Sequence, residues 1–288
     1  TWEWLNGLRL SGRLRREWNE GAGNLFYQRM NGALTPLSAS DANLHRIVFT
    51  EATLGVTYQP GASYINTKQH RLTTNFDTPV MALTHTIGLK GILGGQYNYN
   101  FTEASLYKRF WLRSWGKMDF MLKGGVQWNK VPFPFLIMPA ANLSYIMEDH
   151  TFSLIRNMEF PTDRYASFMM NWDINGKILN RIPLIRHLKW RESIGFNCLW
   201  GQLTDKNNPF LTDNTNDPVL FYFPGSFQAD GTFSYASRVM NPRKPYFEVV
   251  AGLHNIFKFF HIQYVHRLNY IYPQTRRWGI RGSFRMTF

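Results

Sequence analysis

The chain has 288 residues, with 32 Lys and Arg against 19 Asp and Glu, so its formal net charge is +13. Charged residues make up only 18% of it and aromatic residues 16%, whereas about 25% of a soluble domain is usually charged. This composition excludes intrinsic disorder, and no run of about 18 apolar residues is present that would form a transmembrane helix. The single cysteine, Cys198, excludes an internal disulfide and a zinc site built from cysteines. An aromatic-rich soluble β protein and a transmembrane β-barrel both remain.

Alternation of apolar and polar residues predicts β-strands, weakly at residues 48–58 and 97–101 and strongly at residues 118–128. In the strong run Met118, Phe120, Leu122, Val126 and Trp128 alternate with Asp119, Lys123, Gly125, Gln127 and Asn129. Successive side chains of a strand point to opposite faces, so this strand has one apolar and one polar face.

Two further alternating runs, residues 166–174 and 190–200, lie on either side of a connection near residues 176–188. We expect this connection on the periplasmic side of a membrane. Its apolar residues between Ile178 and Ile185 predict a short helix or a plug over the opening.

A long polar segment near residues 203–245 is rich in Asn, Asp, Pro and Gly. Because the strands of outer-membrane barrels are joined by short periplasmic turns and longer extracellular loops, this segment is predicted to be extracellular. Its inner stretch, Val219–Phe223, is apolar enough to fold back on itself or into the lumen.

The C-terminal runs follow a tight turn predicted at Leu253–Ile256. In the first run, Phe260, Ile262, Tyr264, Leu268 and Tyr270 share one face, opposite His261, Gln263, Arg267 and Asn269. In the last run, Trp278, Ile280, Gly282, Phe284, Met286 and Phe288 alternate with Arg277, Gly279, Arg281, Ser283, Arg285 and Thr287. The last strand is thus predicted to have one apolar and one cationic face.

The length of these runs favours a membrane protein. They span about ten residues, which is what a tilted strand needs to cross a bilayer and longer than the roughly 5–6 residues of an ordinary strand. We therefore predict an all-β fold, a closed antiparallel transmembrane β-barrel of roughly 12–16 strands over residues 1–288, in a bacterial outer membrane. A soluble sandwich or barrel is the alternative. If the strand count is odd or small, we expect strands from an absent N-terminal segment to complete the barrel.

Tryptophans lie near the ends of the apolar faces and predict an aromatic girdle at the membrane interfaces. The predicted girdle consists of Trp128, Trp172, Trp190, Trp200 and Trp278.

A set of basic residues is predicted to point into the lumen, namely Lys123, Lys189, Arg191, Arg267, Arg277, Arg281 and Arg285. A ring of such residues in an open pore favours anions. The alternative, which we favour, is a plugged interior in which cations pair with carboxylates such as Glu51, Asp119 and Asp173. Basic residues near the outer rim are also suited to lipid or lipopolysaccharide phosphates.

The end of the chain is predicted to carry an assembly signal for outer-membrane machinery, formed by Phe284, Met286 and Phe288. Catalysis has little support, because none of the eight His residues lies in a recognisable motif. His261 and His266 are predicted on opposite faces of one strand, so they cannot share a site. We predict no catalytic residues, no metal, no cofactor and no nucleic-acid partner. Cys198 is predicted to face lipid.

Several stretches resemble a known family: EF-PTDRYASF from Glu159, NGKILNRIPLIRHLKWRE, LWGQLTDKNNP, GGQYNYN (Gly94–Asn100) and the terminal GSFRMTF. They resemble a Bacteroidota-type outer-membrane family with an N-terminal carboxypeptidase-regulatory-like domain and a C-terminal barrel of unassigned function. The barrel of that family is similar to the surface-antigen superfamily, which includes the barrel-assembly insertases. This chain looks like the barrel part.

These observations predict a non-enzymatic plugged barrel that acts in envelope assembly or anchors periplasmic and outer-membrane partners. The expected partners are outer-membrane lipid, lipopolysaccharide and the outer-membrane assembly machinery. An anion-preferring pore is the first alternative, and a barrel-embedded hydrolase is the second.

Overall fold

A computed structural model of the chain describes residues 1–4, 7–23, 25–38, 42–67 and 71–285. Most of it forms one antiparallel sheet of eleven strands. In spatial order these are β1 (Trp2–Glu3), β2 (Leu8–Glu20), β3 (Arg46–Tyr58), β6 (Val80–Gly88), β7 (Tyr99–Trp111), β8 (Lys117–Gln127), β9 (Arg164–Asp173), β10 (Arg191–Gln202), β13 (Tyr246–Ile256), β14 (Phe260–Arg267) and β15 (Trp278–Phe284). Two hairpins lie outside it: β4 (Tyr64–Asn66) with β5 (Arg71–Thr73), and β11 (Gly225–Phe227) with β12 (Phe233–Tyr235).

The all-β class and the antiparallel pairing are confirmed, whereas closure of the sheet is not observed. Neither β1 nor β2 pairs with β15 in the described chain, so hydrogen bonds do not close the sheet into a barrel. The sheet has eleven strands, one fewer than the predicted range of roughly 12–16 for a closed barrel. The estimate divided the length evenly among strands, but two connections, residues 128–163 and 203–245, each take up as much chain as several strands.

Side-chain alternation divides the sheet into two faces, as the sequence predicted for β8, β9, β10 and β15. On the outer face, apolar side chains such as Leu122, Ile194 and Ile280 remain exposed. The opposite face, here called the inner face, is covered by residues from the two long connections. Cys198 lies on the outer face, where it is half-buried.

Antiparallel neighbours place successive connections at opposite ends of the sheet. The lower end carries the connections 4–7, 59–79, 112–116, 174–190 and 257–259, and the upper end carries 21–45, 89–98, 128–163, 203–245 and 268–277. The tight turn predicted at Leu253–Ile256 was misplaced, because β13 continues to Ile256. The chain reverses at Phe257 and Lys258, which both have positive φ.

The core lies between the inner face and the upper connections. Residues 131–163, here called the plug segment, contribute Val131 and Phe133 to one cluster that also contains Phe221 and Phe223. They contribute Phe152 and Phe160 to a second cluster. The apolar stretch 219–223 therefore packs into the interior instead of remaining in solvent.

The connection near residues 176–188 forms a 3-10 turn (Leu179–Arg181) and the short helix α1 (Pro183–Arg186). It does not fill the interior: Leu184 is 84% exposed and Ile178, Ile182 and Leu188 are also exposed. Short 3-10 turns also occur at Ile92–Gly94, Arg113–Trp115, Phe133–Phe135, Asp205–Asn207 and Thr212–Asn214. None of the described helices has the length and apolar character needed to cross a membrane.

Candidate functional site: the filled inner face and the strand edges

A buried ion pair fixes the plug segment to the sheet. Arg267, at the end of β14, is fully buried, and its Nη2 and Nη1 atoms donate to the two carboxylate oxygens of Glu159 at 2.7 and 3.2 Å. The remaining donors reach the carbonyl oxygens of Leu154, Tyr270 and Asn269 at 3.1, 2.7 and 3.1 Å. A buried charge is tolerated when it is paired and its hydrogen bonds are satisfied, and both conditions hold here.

A second buried carboxylate, Glu248 of β13, holds the backbone of the plug segment. Its Oε1 accepts from the amide of Leu154 at 2.7 Å and from the hydroxyl of Tyr246 at 2.6 Å. Its Oε2 accepts from the amide of Ser153 at 3.1 Å. From β15, Nη2 of Arg281 donates to the Ser153 carbonyl oxygen. Residues 153–154 are therefore held from two strands.

Asp163, at the end of the plug segment, joins it to the other long connection. The buried carboxylate accepts from the amide of Thr204 at 3.2 Å and from Nδ2 of Asn207 at 2.9 Å, and it also accepts from the Thr204 hydroxyl. Asn207 in turn accepts from the amide of Val131 at 2.9 Å. The two connections therefore form one hydrogen-bonded unit above the inner face.

An ion pair at the upper end adds to this unit. Lys130 donates to Asp217 at 2.6 Å, and the amides of Val219 and Leu220 donate to the same carboxylate. Burial opposes ionisation of Asp217, but these hydrogen bonds outweigh it and hold its pKa below the ordinary value. Burial raises the pKa of Tyr235 to about 12.

The predicted cationic residues do not form one ring. Lys123, Arg191, Arg267 and Arg281 lie on the inner face, at different heights of the sheet. Lys189 lies in the connection before β10, and Arg277 lies in the connection before β15, where it is exposed. Arg285 follows β15 and approaches Asp149 at 3.4 Å.

The three carboxylates predicted as partners, Glu51, Asp119 and Asp173, do lie close to basic side chains. These side chains are not members of the predicted cationic set. Asp119 binds Arg109 at 2.7 Å and Glu51 binds Arg15 at 2.9 Å, while Asp173 lies 4.0 Å from Nδ1 of His254. Within the predicted set, Lys123 binds Glu103 at 3.1 Å. Each of these carboxylates therefore has a basic group within 4.0 Å.

The tryptophans of the predicted girdle lie at both ends of the sheet. Trp128, Trp200 and Trp278 are at the upper end, and Trp172 and Trp190 are at the lower end. Several have their indole N–H satisfied: Trp200 donates to the Pro242 carbonyl at 2.8 Å and Trp172 to the Trp115 carbonyl at 3.0 Å. Their position at a membrane interface stays a prediction.

Of the predicted assembly signal, the structure describes only Phe284, which is 79% exposed on the outer face and packs against Phe260. Met286 and Phe288 lie outside the described residues. The alternation that predicted the signal is visible up to Arg285.

A polar cavity of about 330 Å³ lies at the lower half of the inner face. His254 lines this cavity. Its Nε2 lies 3.2 Å from the Ser193 hydroxyl oxygen, and its Nδ1 lies 4.0 Å from a carboxylate oxygen of Asp173. Gly252 gives this contact room, since a Cβ there would lie 2.3 Å from Ser193 Oγ. His261 packs on His254 at 4.9 Å and, as predicted, faces away from His266. No group of three or more His, Cys, Asp or Glu among the described residues is placed to hold a metal ion.

The outer edges of the sheet form the last candidate site. A cleft of about 1140 Å³ runs along β15, lined mainly by apolar residues of β14, β15 and the plug segment. Ile146 of the plug segment forms a parallel bridge with Gly282 there. In this bridge the Gly282 amide donates to the Tyr145 carbonyl oxygen and the Met147 amide donates to the Gly282 carbonyl oxygen, both at 2.9 Å.

The residues that hold the interior together were missed by the sequence analysis, above all Glu159, Asp163 and Glu248. Glu159 and Asp163 lie within the stretch that carried the family resemblance. The available signal in residues 159–163 was two carboxylates on either side of Phe160 and Pro161, because acidic residues in an apolar setting are rarely buried unless they are paired.

A profile of the C-terminal domain of a family of unknown function (DUF5686) matches residues 1–210. No curated protein matches the chain. The chain therefore belongs to this family of unknown function. The resemblance to the surface-antigen superfamily and to Bacteroidota proteins stays a prediction.

Proposed function

We propose that this member of the family is an integral outer-membrane protein whose sheet closes as a transmembrane barrel around a filled interior. It acts without catalysis, as an anchor or assembly element for periplasmic and outer-membrane partners. The observation that carries the proposal is the fully buried Arg267–Glu159 pair. A sheet with an exposed apolar outer face and a polar, hydrogen-bonded interior has the arrangement that a bilayer requires of a barrel.

The filled interior favours an anchor over the alternative of an anion-preferring pore. A lumen of this size is easily filled by side chains and loops. Here residues 152–160 and 220–223 occupy the inner face, and most inner-face cations have acidic or carbonyl partners. An anion pore needs basic side chains along a water-filled path. In this interior, apolar and hydrogen-bonded residues of the long connections occupy that space instead.

Membrane insertion and conductance test the proposal together. The purified chain is refolded into phospholipid vesicles, washed at alkaline pH and recorded in planar bilayers. We expect it to remain with the vesicles and to show no steady conductance. The double variant Glu159→Leu with Glu248→Leu is expected to release the plug segment and to show intermittent conductance. The control Lys123→Met changes an inner-face cation that does not contact the plug segment, and it is expected to show no conductance.

Two results would overturn the proposal in different ways. Recovery of the chain as a monodisperse, detergent-free soluble protein removes the membrane assignment. Steady anion-selective conductance of the wild type makes it a pore. The anchoring role is tested in cells: depletion of the intact protein is expected to lower the amount of other envelope components in the outer membrane without changing uptake of small anions.

The Ser193–His254 contact favours one second candidate, a hydrolase acting on esters in the polar cavity. The Ser193 oxygen would attack the carbonyl carbon while its proton passes to Nε2 of His254, which then protonates the leaving alcohol. Water would release the acyl group from the serine. A fluorophosphonate probe tests this. Labelling that is lost in Ser193→Ala and kept in Ser283→Ala, a serine that lines the polar cavity with His254, supports the hydrolase, and absence of labelling removes it.

A further inference from the structure

Two edges of the large sheet lack strand partners along most of their length. β1 pairs with β2 only through Trp2 with Leu10 and Glu3 with Arg9. Within the described chain, residues 11–20 of β2 therefore have no strand neighbour on that side. The edge of β15 carries a bridge to Ile146, in which the amide and carbonyl of Gly282 are bonded to Tyr145 and Met147. A strand that pairs along β15 therefore displaces residues 145–147 from this edge. Unpaired backbone N–H and C=O groups on an edge are a template for another strand.

The direction of the strands determines how the gap can be filled. Every neighbouring pair from β2 to β15 is antiparallel, and these strands number ten, so β2 and β15 run in opposite directions. An antiparallel sheet closes between two such strands through an even number of added strands, zero included. β1 already occupies the line next to β2, antiparallel to it. Direct pairing of β2 with β15 would therefore displace β1. The smallest addition that leaves β1 paired with β2 is two strands, one in line with β1 and one beside β15.

The outer faces of both edges require apolar partners. Leu14 on β2 is 81% exposed, and Trp18 is also exposed. On β15, Trp278 and Ile280 are exposed and line the apolar cleft. A strand that continues this wall therefore has apolar residues at its outward positions, where cross-strand apolar pairs form.

The inner faces of both edges are basic. Arg9, Arg13 and Arg15 alternate along β2, and Arg281 and Arg285 do so at the end of β15. Arg15 is matched by Glu17 and Glu51, whereas Arg13 has no acidic partner among the described residues. Opposite charges directly across a strand pair are stabilising and like charges are destabilising.

The same charges argue against closure by the chain's own edges. Pairing β15 with β2, either within one chain or between two copies, would place two basic inner faces side by side. In an antiparallel register with Arg281 opposite Arg13, for example, Arg285 lies opposite Arg9. The short β1 shows the favourable alternative: Trp2 faces outward opposite Leu10, and Glu3 lies inward, 3.6 Å from Arg9.

We propose that the gap between β2 and β15 is filled by a pair of antiparallel strands from a partner segment, with apolar residues outward and Asp or Glu inward. This inference rests on the proposed barrel. The ten strands of the sheet from β2 to β15 and the two added strands give an even count of twelve, with β1 in line with one of the added strands. Acidic inward residues would pair with Arg13 and Arg281, the edge arginines that have no acidic partner among the described residues, whereas Arg9, Arg15 and Arg285 already have one.

Designed hairpins test the pairing, in a Cys198→Ala background so that added cysteines are unique. Each hairpin has two strands of roughly ten residues and identical apolar outward residues, with either Glu or Lys at the inward positions. A cysteine in each strand allows disulfide capture by Leu14→Cys on β2 or Ile280→Cys on β15. We expect the Glu hairpin to be captured at both edges and the Lys hairpin about tenfold less, since several cross-strand charge pairs change sign.

Charge reversal is the matched control. The variant Arg13→Glu, combined with Leu14→Cys, is expected to reverse the preference at the β2 edge and capture the Lys hairpin there, while Arg281, which holds Ser153, is left unchanged. Equal capture of the two hairpins by the unreversed chain overturns the proposal. So does an intramolecular disulfide in Leu14→Cys with Ile280→Cys, which shows self-closure, or a covalent dimer of that variant, which shows pairing of copies. Each capture is run in detergent and in vesicles, so a chain that captures the Glu hairpin but fails to insert contradicts the proposed function alone.

Discussion

Arg267 and Glu159, separated by 108 residues, form a bidentate ion pair from which solvent is excluded. The guanidinium also lies over the Tyr246 ring, 4.8 Å from its centroid. Through this pair the sheet holds a connection that has no strand pairing with it over most of its length. The inner face and the plug segment are therefore expected to unfold together.

Removing one partner of this pair leaves a buried charge uncompensated. We expect Glu159→Leu to lower the free energy of unfolding by about 3–5 kcal/mol, and Arg267→Met by a similar amount. The double variant is expected to cost clearly less than the sum, because neither charge is left alone. Urea unfolding in detergent, followed by tryptophan fluorescence, measures these differences.

The exposed pair between Lys123 and Glu103 is the control for that series. Its Lys side chain is 40% exposed, and Lys123→Met is expected to change stability by less than about 1 kcal/mol. Equal losses for Lys123→Met and Glu159→Leu would show that the buried pair has no special role.

Asp163 is expected to control the mobility of the upper connections. Asp163→Ala removes the acceptor for Thr204 and Asn207 and leaves their buried donors without it, at a cost of about 1–3 kcal/mol. Trypsin cleavage after Lys206 and amide hydrogen exchange at residues 204–207 should both accelerate. Asp230→Ala, which removes a carboxylate bonded only to Thr232 in an exposed turn, should leave both unchanged.

The Lys130–Asp217 pair predicts a pH dependence at the upper end. The pKa of Asp217 is lower in the folded protein than in the unfolded chain, so its contribution to stability is present above the unfolded pKa, about 3.9. That contribution is lost as pH falls through the folded pKa. We expect Asp217→Asn to lower Tm at pH 7 and to bring no difference at the lowest pH at which the protein stays folded. The same measurement on Asp213→Asn, an exposed neighbour, should show no pH-dependent difference.

Strands were predictable because alternation is a local property of the sequence. Residues 118–128 and 190–200 reveal two faces without any knowledge of their neighbours, and β8 and β10 form there. The partner of Arg267 was not predictable in this way, since Glu159 lies in a connection far along the chain. Alternation recognised Arg267 as an inward cation but contained no information on what fills the interior.

Alternation also fails where a strand ends. Continued through residue 270, it placed Tyr270 on the apolar outer face, but β14 ends at Arg267. Tyr270 has a positive φ, and its ring packs on Phe160 at 5.3 Å in the core. Its hydroxyl donates to the Lys244 carbonyl oxygen at 2.5 Å. The ring of Tyr270 therefore lies in the core and not on the predicted outer face, because the strand has ended three residues earlier.

Variants of the predicted assembly signal are expected to change the amount of protein assembled in cells but not the stability of the folded protein in detergent. Phe284 is exposed on the outer face, so replacing it removes little buried apolar surface, and Phe284→Ser is expected to change the free energy of unfolding in detergent by less than about 0.5 kcal/mol. If the terminal aromatics are read by assembly machinery, Phe284→Ser and Phe288→Ala should each lower the amount of protein that reaches the outer membrane severalfold in cells. Ile280→Ser, an outer-face change of the same kind in the same strand, should not. Equal losses for all three variants would assign the effect to the strand as a whole and contradict a specific terminal signal.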